Sequence, residues 1–159
     1  MQKITTHLWF DNQAEEAANF YVSVFKNSRI VEVINYGEGE PGKPGGSVTV
    51  VTFELDGQQY FALNAGPMFH FSEAISLYVD CDSQEEVDEL WSKLTADGGE
   101  ESQCGWLKDK YGLSWQIIPR ELTDLMKDPD GAKAGRVMAA MMGMQKIDVQ
   151  ALRDAAAGS

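Results

Sequence analysis

Cysteine is scarce in this sequence, with only Cys81 and Cys104 and no CxxC pair. So few thiols rule out a disulfide framework or a cysteine-rich zinc site, and both are expected to be reduced. Long apolar runs are also missing. No stretch approaches the roughly 18 apolar residues that can span a bilayer. The opening MQKITTHLWF lacks the basic region and apolar run of a secretory leader, and a cytoplasmic location is expected. Positive charge is short as well: 13 Lys and Arg stand against 25 Asp and Glu, for a formal net charge of -12. A field of that sign repels phosphate backbones and anionic lipid, so neither nucleic acid nor a membrane surface is an expected partner.

What is present suits one compact domain of 159 residues. Its first third reads as a strand ending in an Asp, His7-Leu8-Trp9-Phe10-Asp11, which leads into an amphipathic helix, Gln13 to Tyr21. Roughly seventy residues later the same grammar returns, with Ile75 to Asp80 leading into Ser83 to Trp91. Both helices carry a double Glu in the first turn, where negative charge suits the helix dipole. Ser83 is placed to act as N-cap. After the first helix, Arg29 to Tyr36 reads as a strand and Gly37 to Gly46 as a Gly and Pro loop. Ser47 to Leu55 and Gln58 to Asn64 then form a hairpin about Asp56-Gly57. After the second helix come a Gly98-Gly99 break, a short segment from Glu101 to Leu107 and a last strand, Leu113 to Ile118.

The fold class expected is therefore α+β. Two βαβββ modules, residues 1–72 and 73–120, supply the strands, and a helical tail, 121–159, follows. In the tail, Leu122 to Met126 reads as a short helix, Asp128 to Gly131 as a turn, and Ala132 to Met144 as a helix. The stripe Val137, Met138, Met141, Met142 and Met144 is a packing face, either for the sheet or for a second subunit.

Alternation along strands separates an apolar face from one that mixes aromatics with small polar groups, the lining expected of a ligand cavity. The candidate pocket residues are His7, Trp9, Asn64, Ser76, Tyr78, Trp106 and Gln116. Trp9, Tyr78 and Trp106 can stack on a flat ligand. His7 reads as a ligand-contacting donor or a wall residue rather than a base, for want of a carboxylate partner. His70, within Pro67-Met68-Phe69-His70-Phe71, falls on an aromatic loop suited to a lid or a dimer contact. Cys104 has no visible base to activate it, and Lys108, Asp109 and Lys110 read as a solvated turn.

Several stretches carry a family resemblance. They are Leu8-Trp9-Phe10-Asp11 with Ala14 to Ala17 and Phe20-Tyr21, the run Phe25 to Ile30, the stretch Cys104 to Pro119, and the tail from Arg136 to Asp148. Together they resemble the PhnB-like branch of the vicinal-oxygen-chelate superfamily, which includes glyoxalases, bleomycin-resistance proteins and dioxygenases. The resemblance implies paired βαβββ modules forming a cup-shaped mixed sheet, within a homodimer. It also implies metal ligands on the first, fourth, fifth and eighth strands. Aligned here, those positions fall at Thr5, near Ala62, at Ala74 and at Gln116, so no complete metal site is expected and no cofactor is called for. His7 and Gln116 are the weak metal candidates. Some relatives carry a methyltransferase label linked to ubiquinone biosynthesis. An S-adenosylmethionine site of Rossmann type wants a glycine-rich strand-to-helix turn, whereas Gly37 to Gly46 joins two strands. The function expected is binding of a small aromatic or amphipathic molecule in the sheet cavity. The alternative is a metal-dependent lyase, isomerase or dioxygenase using His7 with His70 or a partner chain's acid.

Overall fold

The computed structural model describes residues 2–39 and 46–158, so the centre of the Gly and Pro loop, 40–45, lies outside the described residues. The chain divides into two compact units, Met1–Phe71 and Ser72–Ser159. The segment beyond residue 120 belongs to the second of them.

In the first unit, β1 (Thr6–Phe10) leads into α1 (Ala14–Val24), followed by β2 (Arg29–Tyr36), β3 (Val48–Leu55) and β4 (Gln58–Asn64). The second unit repeats the plan with β5 (Ser76–Cys81), α2 (Gln84–Thr95), β6 (Glu100–Glu101), β7 (Trp106–Lys108) and β8 (Ser114–Pro119). Each unit holds a four-stranded mixed sheet, ordered β1-β4-β3-β2 and β5-β8-β7-β6. In each, the first strand pairs parallel with the last and the remaining pairs are antiparallel. The duplication expected from the strand-helix grammar is thus present in the pairing itself, and the α+β class holds.

The helices repeat as well. α1 buries Ala14, Ala17, Ala18 and Tyr21, and α2 buries Val87, Leu90, Trp91 and Leu94. Both sets follow the i, i+3, i+4, i+7 spacing that aligns one helical stripe against a sheet. Beneath α1, alternate residues Val51, Phe53 and Leu55 of β3 are buried, and Tyr21, Phe53 and Tyr60 stack in sequence at 6.2 and 5.5 Å. Each such aromatic pair contributes about 1 kcal/mol beyond its buried area. Asp56 and Gly57 both have positive φ, 49° and 78°, as the two-residue turn of a twisted hairpin requires.

Capping fixes where the second helix starts. Ser83 Oγ accepts from Glu86 N at 3.2 Å, and the Glu86 carboxylate accepts from Asp82 N at 3.3 Å.

Three helices close the second unit: α3 (Arg120–Met126), α4 (Gly131–Met142) and α5 (Val149–Ala157). Asp130 caps α4 by accepting from Ala132 N and Lys133 N, and Asp148 caps α5 by accepting from Ala151 N. Arg136 donates to Ala155 O and Ala156 O at the last turn of α5, where the helix leaves carbonyls without partners. The methionine stripe splits. Met141 and Met144 pack against a cluster of Ile118, Leu122, Val137, Ile147, Leu152 and Ala156, while Met138 and Met142 are exposed. The Gln84 side chain fastens the segment to the start of α2. It donates to Ile147 O at 3.0 Å and accepts from Val149 N at 2.7 Å.

Candidate functional site

Strand register decides which of the candidate residues share a face. In the first sheet His7 pairs with Phe61 and Trp9 with Leu63, whereas Leu8 pairs with Ala62 and Phe10 with Asn64. Leu8, Phe10 and Ala62 are buried under α1, so His7, Trp9, Phe61 and Leu63 look out on the opposite, open face. The grouping of Asn64 with His7 is corrected by this arrangement. Asn64 sits on the helix side, where its Oδ1 accepts from Ala14 N at 2.7 Å and satisfies a free donor at the start of α1. The alignment of a ligand position near Ala62 shifts for the same reason. By register the counterpart of Gln116 is Leu63, since Leu63 pairs with Trp9 as Gln116 pairs with Tyr78.

On this first open face the His7 ring lies 5.6 Å from Phe61. Trp9 is held by its neighbours: its Nε1 donates to Gly66 O at 2.9 Å, and Phe69 meets it edge-on at 4.9 Å. The aromatic loop therefore closes partly over Trp9, with His70 exposed upon it.

The second sheet gathers more of the candidates. Ser76 pairs with Ser114 and Tyr78 with Gln116 across β5 and β8, while Trp106 and Lys108 of β7 pair with Gln116 and Ser114. Tyr78, Gln116 and Trp106 thus form one row across three strands on the face away from α2, and Ser76, Ser114 and Lys108 form the next. Gln116 Nε2 donates to Ser76 Oγ at 2.9 Å, which fixes the amide. No hydrogen bond to Gln116 Oε1 occurs among the described residues. A flanked acceptor between two aromatic rings, with Tyr78 51% exposed, can hold a flat molecule and receive one of its donors.

The solvated turn expected at Lys108-Asp109-Lys110 is overturned. Asp109 is only 2% exposed, and its carboxylate accepts from Trp115 Nε1 at 2.9 Å, Tyr111 N at 2.9 Å and Leu113 N at 3.1 Å. Buried carboxylates persist where hydrogen bonds replace lost water. Lys108 pairs with Glu73, holding that carboxyl below its ordinary range, and Lys110 lies 5.6 Å from the Tyr111 ring.

Neither group that the family implies finds its residues. At the strand positions for metal ligands stand Thr5, Leu63, Ala74 and Gln116, with His7 as one imidazole nearby. Hydroxyl, alkyl and amide groups do not make a divalent-metal donor set. Among the described residues no three His, Cys, Asp or Glu side chains gather as a metal would need. For an S-adenosylmethionine cradle of Rossmann type, the strand-to-helix turns Asp11–Gln13 and Asp82–Ser83 contain no glycine.

The cysteines differ in environment. Burial, then the nearby Glu86, Asp80 and Asp82 carboxylates, push the Cys81 thiol up to about 12. Cys104 is part-exposed. At pH 8 a maleimide or iodoacetamide reagent should label Cys104 in the folded protein and reach Cys81 only after denaturation, because the thiolate is the nucleophile. Equal labelling of both in the native state, read by peptide mass spectrometry, would contradict this environment for Cys81.

Known proteins place this geometry. The family model described as 3-demethylubiquinone-9 3-methyltransferase matches residues 2–118. The solved PhnB protein of Bacillus cereus is 42% identical, with 74% of this chain and 99% of that chain covered and a TM-score of 0.65. PA1353 of Pseudomonas aeruginosa has a TM-score of 0.61 at 16% identity, covering 75% and 98%. The genomically encoded fosfomycin resistance protein FosX of Listeria monocytogenes has a TM-score of 0.51 at 16% identity, covering 72% and 87%. The last two likenesses bear on the fold alone. No curated protein matches the sequence. With its duplicated βαβββ units, its match over residues 2–118 and its 42% identity to the Bacillus cereus protein, the chain belongs to the PhnB-like family of the vicinal-oxygen-chelate superfamily.

Proposed function

We propose that this chain binds a small aromatic or amphipathic molecule on the open faces of its sheets, as a homodimer in the cytoplasm and without a metal as the anchor. The observation that carries the reading is the Tyr78–Gln116–Trp106 row, a half-buried amide acceptor set between two aromatic rings. Support for a dimer comes from large apolar side chains left exposed, among them Ile4, Tyr36, Ile75 and Met142. No helix among the described residues is long and apolar enough to cross a membrane.

A thermal-shift screen of aromatic compounds, followed by calorimetry, tests the reading. Tyr78→Ala and Trp106→Ala should each weaken a hit about tenfold, the scale of a lost aromatic anchor, while leaving the melting temperature of the free protein nearly unchanged. Hits whose affinity ignores both substitutions would remove the row from the binding site. Sizing should give twice the mass of one chain. Near-stoichiometric metal in protein purified without chelator or nickel resin would instead favour a metal-dependent lyase, isomerase or dioxygenase.

A further inference from the structure

A cavity of about 150 Å³ opens beside the aromatic row, lined by Glu73, Glu100, Glu101, Lys108, Ser114 and the Trp106 indole. Ser114 is 1% exposed, and its Oγ has no hydrogen-bond partner among the described residues. Buried hydroxyls nearly always find a partner, so an orphan lining a cavity marks a place where something else supplies one. Its position is also singular within the duplication. Ser114 pairs with Ser76 as Phe61 pairs with His7, so the second unit keeps a small polar group where the first has an aromatic ring.

The charges around Ser114 select what that partner can be. Lys108 is engaged by Glu73 and lies opposite Glu100 in the β6–β7 register. Glu101 pairs with Leu107 instead and turns its carboxylate to the α2 side, where it accepts from Trp91 Nε1 at 2.6 Å. The two carboxylates of Glu73 and Glu100 against the one ammonium of Lys108 leave the cavity negative, in a chain whose net charge is already -12. An anionic head would meet that field, whereas a cation would find carboxylates, a serine oxygen that can accept, and the face or edge of an indole. The volume equals roughly five waters at about 30 Å³ each, enough for a charged head but not for a whole ligand. Trp106 belongs both to the cavity and to the aromatic row.

We propose that this cavity receives the ammonium head of an amine-bearing aromatic ligand, with Ser114 Oγ accepting from the ammonium, Glu100 balancing its charge, and the ring lying along the Trp106–Gln116–Tyr78 row. This inference rests on the ligand-binding reading above and names its ligand class.

The test is a backbone-amide NMR titration of the full chain with phenethylamine, and in parallel with phenylacetate, which keeps the ring and reverses the charge. Phenethylamine should shift the amides of Glu100, Ser102, Lys108 and Ser114 together with Tyr78 and Gln116. It should bind at least about tenfold more tightly than phenylacetate, and lose affinity on adding salt. Glu100→Gln, at an exposed edge strand, and Ser114→Ala should each weaken phenethylamine by about fivefold to tenfold, with the rest of the spectrum preserved as the check on folding. Equal or tighter binding of phenylacetate overturns the proposal. Shifts confined to Tyr78 and Gln116, with Glu100 and Ser114 unmoved, also overturn it while leaving the ligand-binding reading intact. Absence of any shift from phenethylamine up to about 20 mM, well above the range expected of a fragment this size, overturns it too, and the compound screen then judges the broader reading separately.

Discussion

Asp109→Ala should lower stability by about 3–5 kcal/mol, the range expected when a buried charged acceptor is removed from several donors at once. The carboxylate serves the Trp115 indole, a fully packed side chain of β8, and the backbone donors of Tyr111 and Leu113 that shape the turn into that strand. Alanine removes both acceptor oxygens, leaves three donors without them, and cannot admit enough water to replace them. Urea unfolding measures the loss directly, and Trp115 fluorescence should shift red as its surroundings loosen. Asp109→Asn keeps one carbonyl acceptor and the side-chain shape, so its loss should be smaller, about 1–2 kcal/mol. A change below about 0.5 kcal/mol for the alanine variant, the level of an ordinary surface substitution, would mean the carboxylate is as solvated as its Lys-Asp-Lys setting suggests.

Gly105→Ala should lose about 2–4 kcal/mol, from two separable sources. The residue has φ +84°, a left-handed conformation that costs a non-glycine residue about 1–2 kcal/mol. A Cβ there would also stand 2.7 Å from Ile118 Cδ1, 3.1 Å from Ile117 O and 3.2 Å from Ile147 Cγ1. The isoleucine methyl can swing aside, but the carbonyl belongs to β8 and accepts no such shift, so overpacking adds about 1–2 kcal/mol. Gly112→Ala is the matched comparison. It has φ +87° with nothing within 4 Å of the added carbon, and should lose only the backbone part. Equal losses at the two positions, measured by denaturant midpoints, would show that neither β8 nor Ile147 presses on Gly105.

Much of this was readable in the residues, and the failures have physical reasons. Alternation in β1 separated His7 and Trp9 from buried Leu8 and Phe10, and in β5 it set Ser76 and Tyr78 apart from part-buried Leu77 and Val79, because a strand packed on one side writes its period into the sequence. Asn64 defeated that reasoning. Its polarity suggested a pocket, yet polarity does not distinguish a ligand contact from a helix donor fifty residues away in sequence. Asp109 failed for a related reason: two flanking lysines imply solvent, while the decisive partner, Trp115, is met only when β7 and β8 pair. The last helix, α5, went unforeseen although Asp148 and Gly158 bracket it with a cap at each end. Its run of alanines offered little amphipathic contrast beside the methionine stripe before it.

The tie between the last helices and β8 bears on the order in which a growing chain can acquire its shape. Every pairing of the first sheet is complete once residue 64 is available. The second unit differs, since Ile118 is covered by residues as distant as Leu152 and Ala156, and Gly105 and Cys104 donate to carbonyls at Gln145 and Met144. During synthesis at about 5–20 residues per second, the first unit can finish while the second still waits several seconds for the stretch that seals it. A released chain that ends between residues 120 and 145 leaves the apolar end of β8 uncovered, and is the species in which chaperone binding should be strongest.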